Sequence, residues 1–227
     1  MEKQFGGIMC MISEEFPGNR DALLESQADF VECWLKPEQT QERQWLEAHG
    51  FYFLDRFLDC RIILRNLPEK PKRFRFETGI GTASIGDLQK LYRDVFTRDR
   101  RMHLGCAYDQ DLAKRLIDGY IAEAQSEGMA LMQCQFRDKT VGYAFLQESD
   151  SAFEIFLAGV LPEYQKTGAA VELYRACADF AIASGKRLLT GRISSSNTDV
   201  MNLYARLGAN FYHPRDVYAK DQRGAQI

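Results

Sequence analysis

The sequence is short of the features that mark several special classes of protein. Its 227 residues include 3 histidines, 6 prolines and 2 tryptophans, and no apolar run is long enough to span a bilayer. The amino-terminal segment has too short an apolar stretch for a signal peptide and carries no cleavage pattern. We therefore expect a cytoplasmic protein with no membrane partner.

The cysteines also lack any pairing pattern. There are six of them, at positions 10, 33, 60, 106, 134 and 177, and no two form a C-x-x-C pair. The histidines lie far apart, so no zinc-binding spacing is present. We expect reduced, mostly buried thiols and no metal site.

An excess of positive charge is missing as well. The chain holds 29 Lys and Arg against 32 Asp and Glu, which gives a net charge of −3. A protein that works by neutralising many phosphates normally carries a basic excess, so nucleic acid is not expected as a partner. The 45% hydrophobic content is that of an ordinary globular protein, whose partner we expect to be a small molecule or another protein.

The pattern of elements divides the chain in two. In residues 1–75 we expect a partial α/β domain, with strands over 28–35 and 51–67 and a helix over 37–49 between them. The segment PEKPKRFR at 68–75 has the composition of a linker, and a phosphate-binding patch is its alternative interpretation. The second domain is expected over residues 76–227.

The second domain shows a fuller alternation of strands and helices. Strands are expected near 76–83, 129–136, 141–147, 153–161, 187–193 and 210–219, and helices near 85–96, 109–126, 168–184 and 198–207. Ser84 followed by Asp87 resembles a capping box at the first of these helices. The order predicts an α/β (α+β) fold, with a mostly antiparallel sheet and helices inserted between its strands.

One turn in this domain has the features of an anion-binding site. A strand ends near residue 161, and a short turn leads straight into a helix; its residues are Gln165, Lys166, Thr167, Gly168, Ala169 and Ala170. The first amides of a helix are free and carry the positive end of its dipole, which suits a pyrophosphate. Neither the P-loop nor the dinucleotide pattern is matched. An ordinary strand-to-helix turn is the alternative.

A second segment follows one strand later. Asn197 stands in a polar turn, Tyr204 comes seven residues after it, and Leu207-Gly208-Ala209 closes the short helix. Taken alone, Asn197 could be a helix cap and Tyr204 a core aromatic.

Together the two segments resemble the GNAT superfamily of N-acetyltransferases. Q-K-T-G-A-A matches that family's coenzyme A turn, and N-T-D-V-M-N-L-Y-A-R-L-G-A matches its N...LY..LGA block. The resemblance covers about residues 76–220. It implies a GNAT fold with a mixed sheet flanked by helices, and an acyltransferase that uses acetyl-CoA as co-substrate to acetylate a primary amine.

The N-terminal layout is also similar to that of nucleotide-sugar N-acetyltransferases, which makes a nucleotide-activated amino sugar the leading acceptor. The alternatives are a protein, peptide or antibiotic amine, or a non-catalytic acyl-CoA-binding module. A homodimer is implied by the same resemblance.

The resemblance also implies roles for particular residues. Backbone groups of Leu157, Ala158, Gly159 and Val160 would hold the pantetheine and the acetyl carbonyl, and the turn at 165–170 would bind the pyrophosphate. Asn197 would contact the coenzyme A arm, and Tyr204 would act as the general acid. The turn departs from the family because Gln165 replaces the commoner arginine, a loss for which Lys166 could compensate.

The general base is left open by the motifs. Glu154 and Glu148, on neighbouring predicted strands, are the candidates, and either could instead be a solvated strand-end carboxylate. His103 is a third possibility. Arg100 and Arg101 could meet a nucleotide diphosphate or belong to a solvated basic turn.

Overall fold

A computed structural model of the chain describes residues 2–5, 8–67, 76–81, 83–95 and 110–223. Its strands are β1 Glu2–Phe5, β2 Ile8–Ser13, β3 Phe30–Leu35, β4 Tyr52–Ile63, β5 Glu77–Ile80, β6 Ala130–Phe136, β7 Lys139–Glu148, β8 Ala152–Val160, β9 Leu188–Ser194 and β10 Asn210–Asp221. Its α-helices are α1 Asp21–Leu24, α2 Thr40–Ala48, α3 Ile85–Val95, α4 Gln110–Ser126, α5 Ala169–Ala183 and α6 Thr198–Arg206.

These described strands form one sheet in the order β1-β2-β3-β10-β4-β9-β8-β7-β6-β5. Two pairs, β2 with β3 and β8 with β9, are parallel, and the others are antiparallel. Strand β4 lies between β9 and β10 and pairs with both of them. A strand from the first third of the chain is therefore an interior strand of the sheet that carries the later motifs.

The sheet separates two apolar cores. One face packs against α3 and α4, around Leu88, Tyr92, Ile117 and Ile121. The other packs against α5 and α6, and its core includes Cys60, Leu173 and Tyr204. A third, smaller core surrounds β3 and the N-terminal helices. A mixed, mostly antiparallel sheet flanked by helices is the predicted architecture, and the prediction is confirmed.

Local sequence explains several of the turns. The Ser84 hydroxyl accepts from the Asp87 amide at 3.2 Å, so Ser84 caps α3 as the predicted capping box requires, and it donates to the Asp87 carboxylate at 2.6 Å. Arg137 and Asp138 both have positive φ, as the tight hairpin between β6 and β7 requires. The β1–β2 hairpin and α1 were not anticipated from the sequence.

The N-terminal third is fixed to the rest by a buried carboxylate. Asp216 on β10 is 2% exposed, accepts from Arg43 of α2 at 3.1 Å, and also pairs with Arg56 of β4. A carboxylate removed from water needs such partners. The domain boundary at residue 75 stays a prediction, since the linker at 68–75 lies outside the described residues.

The expectations about thiols agree with the structure as far as it describes them. Cys33, Cys60, Cys134 and Cys177 are buried and free, and desolvation raises the pKa of each. The described residues contain no cluster of side chains fit to hold a metal ion. No helix in the described part of the chain combines the length and apolarity needed to cross a membrane.

Candidate active site

Strands β8 and β9 pair with each other over only the first part of their length. They pair in parallel from Ala152 with Leu188 as far as Ile155 with Gly191. Beyond that point β8 continues beside β7 up to Val160, and β9 continues beside β4 up to Ser194, with no further β8–β9 pair among the described residues. A wedge-shaped opening in the sheet therefore begins after Ile155 and Gly191.

The edge of β8 that borders this opening carries backbone groups that point away from β7. A register shift pairs Phe145 with Leu157 but Leu146 with Ile155, which leaves Phe156 in a bulge. The Leu161 amide donates to β7 at 2.8 Å. Because backbone groups alternate along a strand, Ala158 and Val160 direct theirs towards the opening.

The predicted coenzyme A turn lies at the end of the same strand. The Gln165 side-chain amide donates to the Val160 carbonyl at 3.2 Å, and the Thr167 hydroxyl donates to the Tyr164 carbonyl at 2.6 Å. Lys166 has φ +65° and Gly168 has φ +103°. Gln165 thus shapes the turn instead of supplying the charge of the usual arginine, while the exposed Lys166 is the cation of the segment.

The start of α5 fits an anion. Gly168 is its N-cap and provides no side-chain cap, so the first amides of the helix are left for an outside acceptor. A Cβ at Gly168 would meet nothing within 4 Å among the described atoms, so the space beside Gly168 is open. Ala169 and Ala170 continue the helix without polar side chains that could compete. The opening beside β8 and this helix start lie next to each other, at the end of β8 where the coenzyme A turn is predicted.

Asn197 caps a helix, which is one of the two roles considered for it in the sequence. Its carboxamide oxygen accepts from the Val200 amide at 3.3 Å and caps α6. The residue is exposed. A contact with coenzyme A stays a prediction.

Tyr204, in contrast, is a core residue whose hydroxyl reaches the sheet. It is 1% exposed, and its ring packs edge-on against Tyr174 with centroids 5.3 Å apart. A Cβ added at Gly191 would lie 2.5 Å from the hydroxyl oxygen. Burial raises the pKa of Tyr204 well above its ordinary value, with smaller contributions from Tyr174 and Cys60. The Tyr204 phenol therefore stays protonated at neutral pH. It lies beside Gly191, the last residue of β9 that pairs with β8.

The two candidate bases are placed differently. Glu154 is one residue from the end of the β8–β9 pairing, whereas Glu148 is at the far end of β7, where its carboxylate pairs with Lys186 at 2.6 Å. Desolvation raises the pKa of Glu154, although it is an exposed residue, and Arg192 opposes the shift. The structure brings Glu154 to the opening and leaves Glu148 apart from it.

Arg192 adds a cation near Glu154 and covers the buried ring of Trp34. Its guanidinium lies 5.0 Å from the centroid of the Trp34 ring and donates to Asp59 at 3.1 Å. Arg192 is on β9, Asp59 on β4 and Trp34 on β3, so the N-terminal third contributes to this surface. His103, Arg100 and Arg101 lie outside the described residues.

Two residues beside Tyr204 were missed in the sequence. An isolated glycine within a strand indicates a close approach of another group, so Gly191 could have been noticed. Cys60 offers no such signal, because its place beside Gly191 depends on a strand pairing 131 residues apart along the chain.

Comparisons with known proteins agree with this geometry. Residues 85–209 match the model of the acetyltransferase (GNAT) family. This match covers more than half of the chain, which therefore belongs to the acetyltransferase (GNAT) family. A comparison with curated proteins gives no significant match.

Solved structures show the same fold at low sequence identity. A GCN5-related N-acetyltransferase from Sphaerobacter thermophilus is 17% identical with a TM-score of 0.64, over 85% of this chain and 59% of that one. One from Kribbella flavida is 14% identical with a TM-score of 0.53, over 86% and 71%. A tandem GNAT protein from the clavulanic acid biosynthesis pathway is 10% identical with a TM-score of 0.55, over 85% and 64%. The chain thus spans about three fifths of the Sphaerobacter protein.

Proposed function

We propose that the protein is an acetyl-CoA-dependent N-acetyltransferase that acts on a primary amine of a small molecule. The observation that carries this proposal is the opening between β8 and β9: it begins at Gly191, beside the Tyr204 hydroxyl, and β8 runs on from there to the turn before α5. Such a path matches a long, thin co-substrate with an anionic group at one end.

When bound, acetyl-CoA supplies its acetyl group as a thioester, which the amine attacks directly, so that a C–N bond forms, the C–S bond breaks and the thiol of coenzyme A leaves. The chain then needs groups that position the reactants and move two protons. In this proposal Ala158 and Val160 hold the extended arm through their backbone. The turn at 165–170 binds the pyrophosphate, and Asn197 contacts the arm from α6.

Tyr204 and Glu154 carry the proton transfers in this proposal. Tyr204 donates a proton to the leaving sulfur, for which it must be protonated at neutral pH, as a phenol is; burial, which raises its pKa, keeps it protonated but also makes it a weaker acid than an exposed tyrosine. Glu154 accepts the proton that the attacking amine releases, directly or through water. Its raised pKa makes it a better base than an ordinary glutamate.

For the acceptor we propose a nucleotide-activated amino sugar, as in dTDP-fucosamine acetyltransferase, which the layout of the chain resembles. The insertion of β4 into the sheet supports this assignment, because it brings the N-terminal third to the site. Arg192 supports it too, because its guanidinium is exposed near Glu154 and suits a phosphate of the nucleotide.

The proposal is tested by following release of free coenzyme A thiol with a panel of amines. The panel holds dTDP- and UDP-linked amino sugars, polyamines and lysine peptides, and Tyr204→Phe serves as the variant with impaired acid catalysis. We expect thiol release with an amino sugar, reduced at least a hundredfold in Tyr204→Phe. Release with peptides alone would overturn the acceptor assignment, and failure to bind acetyl-CoA would overturn the whole proposal.

We also propose that the protein is a cytoplasmic homodimer, as the family resemblance suggests. Sedimentation velocity at micromolar concentration tests the oligomeric state. A monomer throughout the range would contradict the dimer without affecting the proposed chemistry.

A further inference from the structure

The hydroxyl of Tyr204 sits in a notch that the N-terminal third of the chain completes. One wall is Gly191, whose missing side chain leaves the space that the hydroxyl fills. The other is the thiol of Cys60 on β4, which is directly opposite Gly191 in the β4–β9 pairing. Cys60 lies outside residues 85–209, the part of the chain that matches the family model.

The hydrogen bonds in this notch have a consistent direction. The Cys60 thiol donates to the Gly191 carbonyl at 3.2 Å, which fixes the thiol proton and leaves the sulfur lone pairs free to accept. The Tyr204 hydroxyl and the Cys60 sulfur approach the same point, because a Cβ built at Gly191 would lie 2.5 Å from the hydroxyl oxygen and 3.6 Å from the sulfur. The Cys60 sulfur is therefore placed to accept from the Tyr204 hydroxyl, and Cys60 itself is 0% exposed.

The position of the notch relates it to the reaction. Gly191 is the last residue of β9 that pairs with β8, so the notch lies at the narrow end of the opening. Packing fixes the ring of Tyr204 in the core, but the position and direction of its hydroxyl also matter, because small displacements of a catalytic group are costly. A group that fixes the hydroxyl there contributes to the rate without touching either substrate.

We propose that Cys60 is a positioning residue, which holds the Tyr204 hydroxyl at the point where β8 and β9 diverge. This inference rests on the proposed function in one respect, the role of Tyr204 as general acid. It gives the N-terminal third a second task besides forming part of the acceptor surface, namely to complete the environment of the acid.

The first arm of the test uses no substrate. Tyrosine labelled with ¹³C at the ζ carbon is incorporated into the full chain, and the Tyr204 signal is identified by its loss in Tyr204→Phe. We expect Cys60→Ala to shift this signal and Cys60→Ser, which retains an acceptor, to shift it less. Cys33→Ala is the matched control, because Cys33 is equally buried but belongs to a different core. An unchanged Tyr204 signal in Cys60→Ala would overturn the proposal.

The second arm measures turnover with the amine that the panel identifies. Cys60→Ala is expected to lower kcat about tenfold, with the KM for acetyl-CoA unchanged and most activity recovered in Cys60→Ser. In a Tyr204→Phe background the same change should have almost no further effect, because Cys60 acts through Tyr204. A loss that multiplies in full with that of Tyr204→Phe would overturn the proposal, since it would reflect general damage to the core.

The two arms separate this inference from the proposed function. A shifted Tyr204 signal together with full turnover in Tyr204→Phe would show that the notch exists while the acid role is wrong, and the positioning role would fall with it. If no amine is acetylated, the proposed function fails, and the labelled spectra still decide whether Cys60 holds the hydroxyl.

Discussion

The turn before α5 and the strand β4 both border the proposed active site, yet they reach it in opposite ways. Gln165 is bound to Val160 five residues away, so the turn is built by its own neighbourhood. Cys60 meets Gly191 across 131 residues. The geometry of the turn is set by residues that are close together in the sequence. The position of β4 is set by its pairing with strands that are distant in the sequence.

This difference has physical consequences. Local contacts form with little loss of chain entropy, whereas the pairing of β4 must close a long loop before it contributes any stability. The turn should therefore tolerate changes elsewhere in the chain. The place of β4 should depend on a few strong tertiary anchors.

The largest effect is expected from breaking the anchor of β4. Asp216→Ala removes the buried carboxylate that joins Arg43 and Arg56, and we expect a loss of about 3 kcal/mol in the free energy of unfolding. Asp221→Ala is the control, because Asp221 pairs only with the neighbouring Arg223 near the end of the strand among the contacts described for it, and it should cost less than about 1 kcal/mol. Urea denaturation measures both, and equal losses would show that Asp216 is no special anchor.

Gly191→Ala tests the point where β4 and the motif region meet. The new Cβ would lie 2.5 Å from the Tyr204 hydroxyl, so the phenol or the strand must move. We expect kcat to fall about a hundredfold, with a smaller change in acetyl-CoA affinity. Gly79→Ala is the control, since a Cβ there meets nothing within 4 Å in the described structure. Retention of normal turnover in Gly191→Ala would contradict the assigned position of the acid.

The same contrast explains what the sequence could predict. The helix periods, the capping box at Ser84 and the turn at Gly168 are local, and the elements around them were anticipated within a few residues. The notch around Tyr204 could not be predicted, because no pattern in residues 52–63 indicates which strands pair with β4. Apolar alternation identifies β4 as a strand, but its neighbours are chosen by the packing of the whole sheet.

Glu154 and Glu148 could not be separated from the sequence either, because both occur near the ends of predicted strands. The structure distinguishes them through the partner strand β9, which places Glu154 beside the opening, and through Lys186, which pairs with Glu148.

A pH profile sharpens this distinction between the two carboxylates. Glu154 must be ionised to accept a proton, and its pKa is raised, so kcat/KM should fall as the pH decreases through a value above the ordinary range of a glutamate. We expect Glu154→Gln to lower kcat/KM about tenfold and to abolish this acidic limb. If Glu148→Gln abolishes the limb instead, the base has been misassigned.

The smallest effect is expected at the turn before α5. The test compares the two glycines that flank this helix. Gly168 before α5 and Gly185 after it have φ +103° and +75°, and a Cβ at either would meet nothing within 4 Å in the described structure. Alanine at either position is therefore strained by the backbone alone and should cost about 1 kcal/mol of stability. At Gly168 the relaxation of that strain also reorients the first amides of α5, so acetyl-CoA affinity, measured by titration calorimetry, should weaken about fivefold. Gly185→Ala should leave the affinity unchanged. Equal affinities in the two variants would mean that the amides at the start of α5 do not bind the co-substrate, even though the fold of the turn is correct.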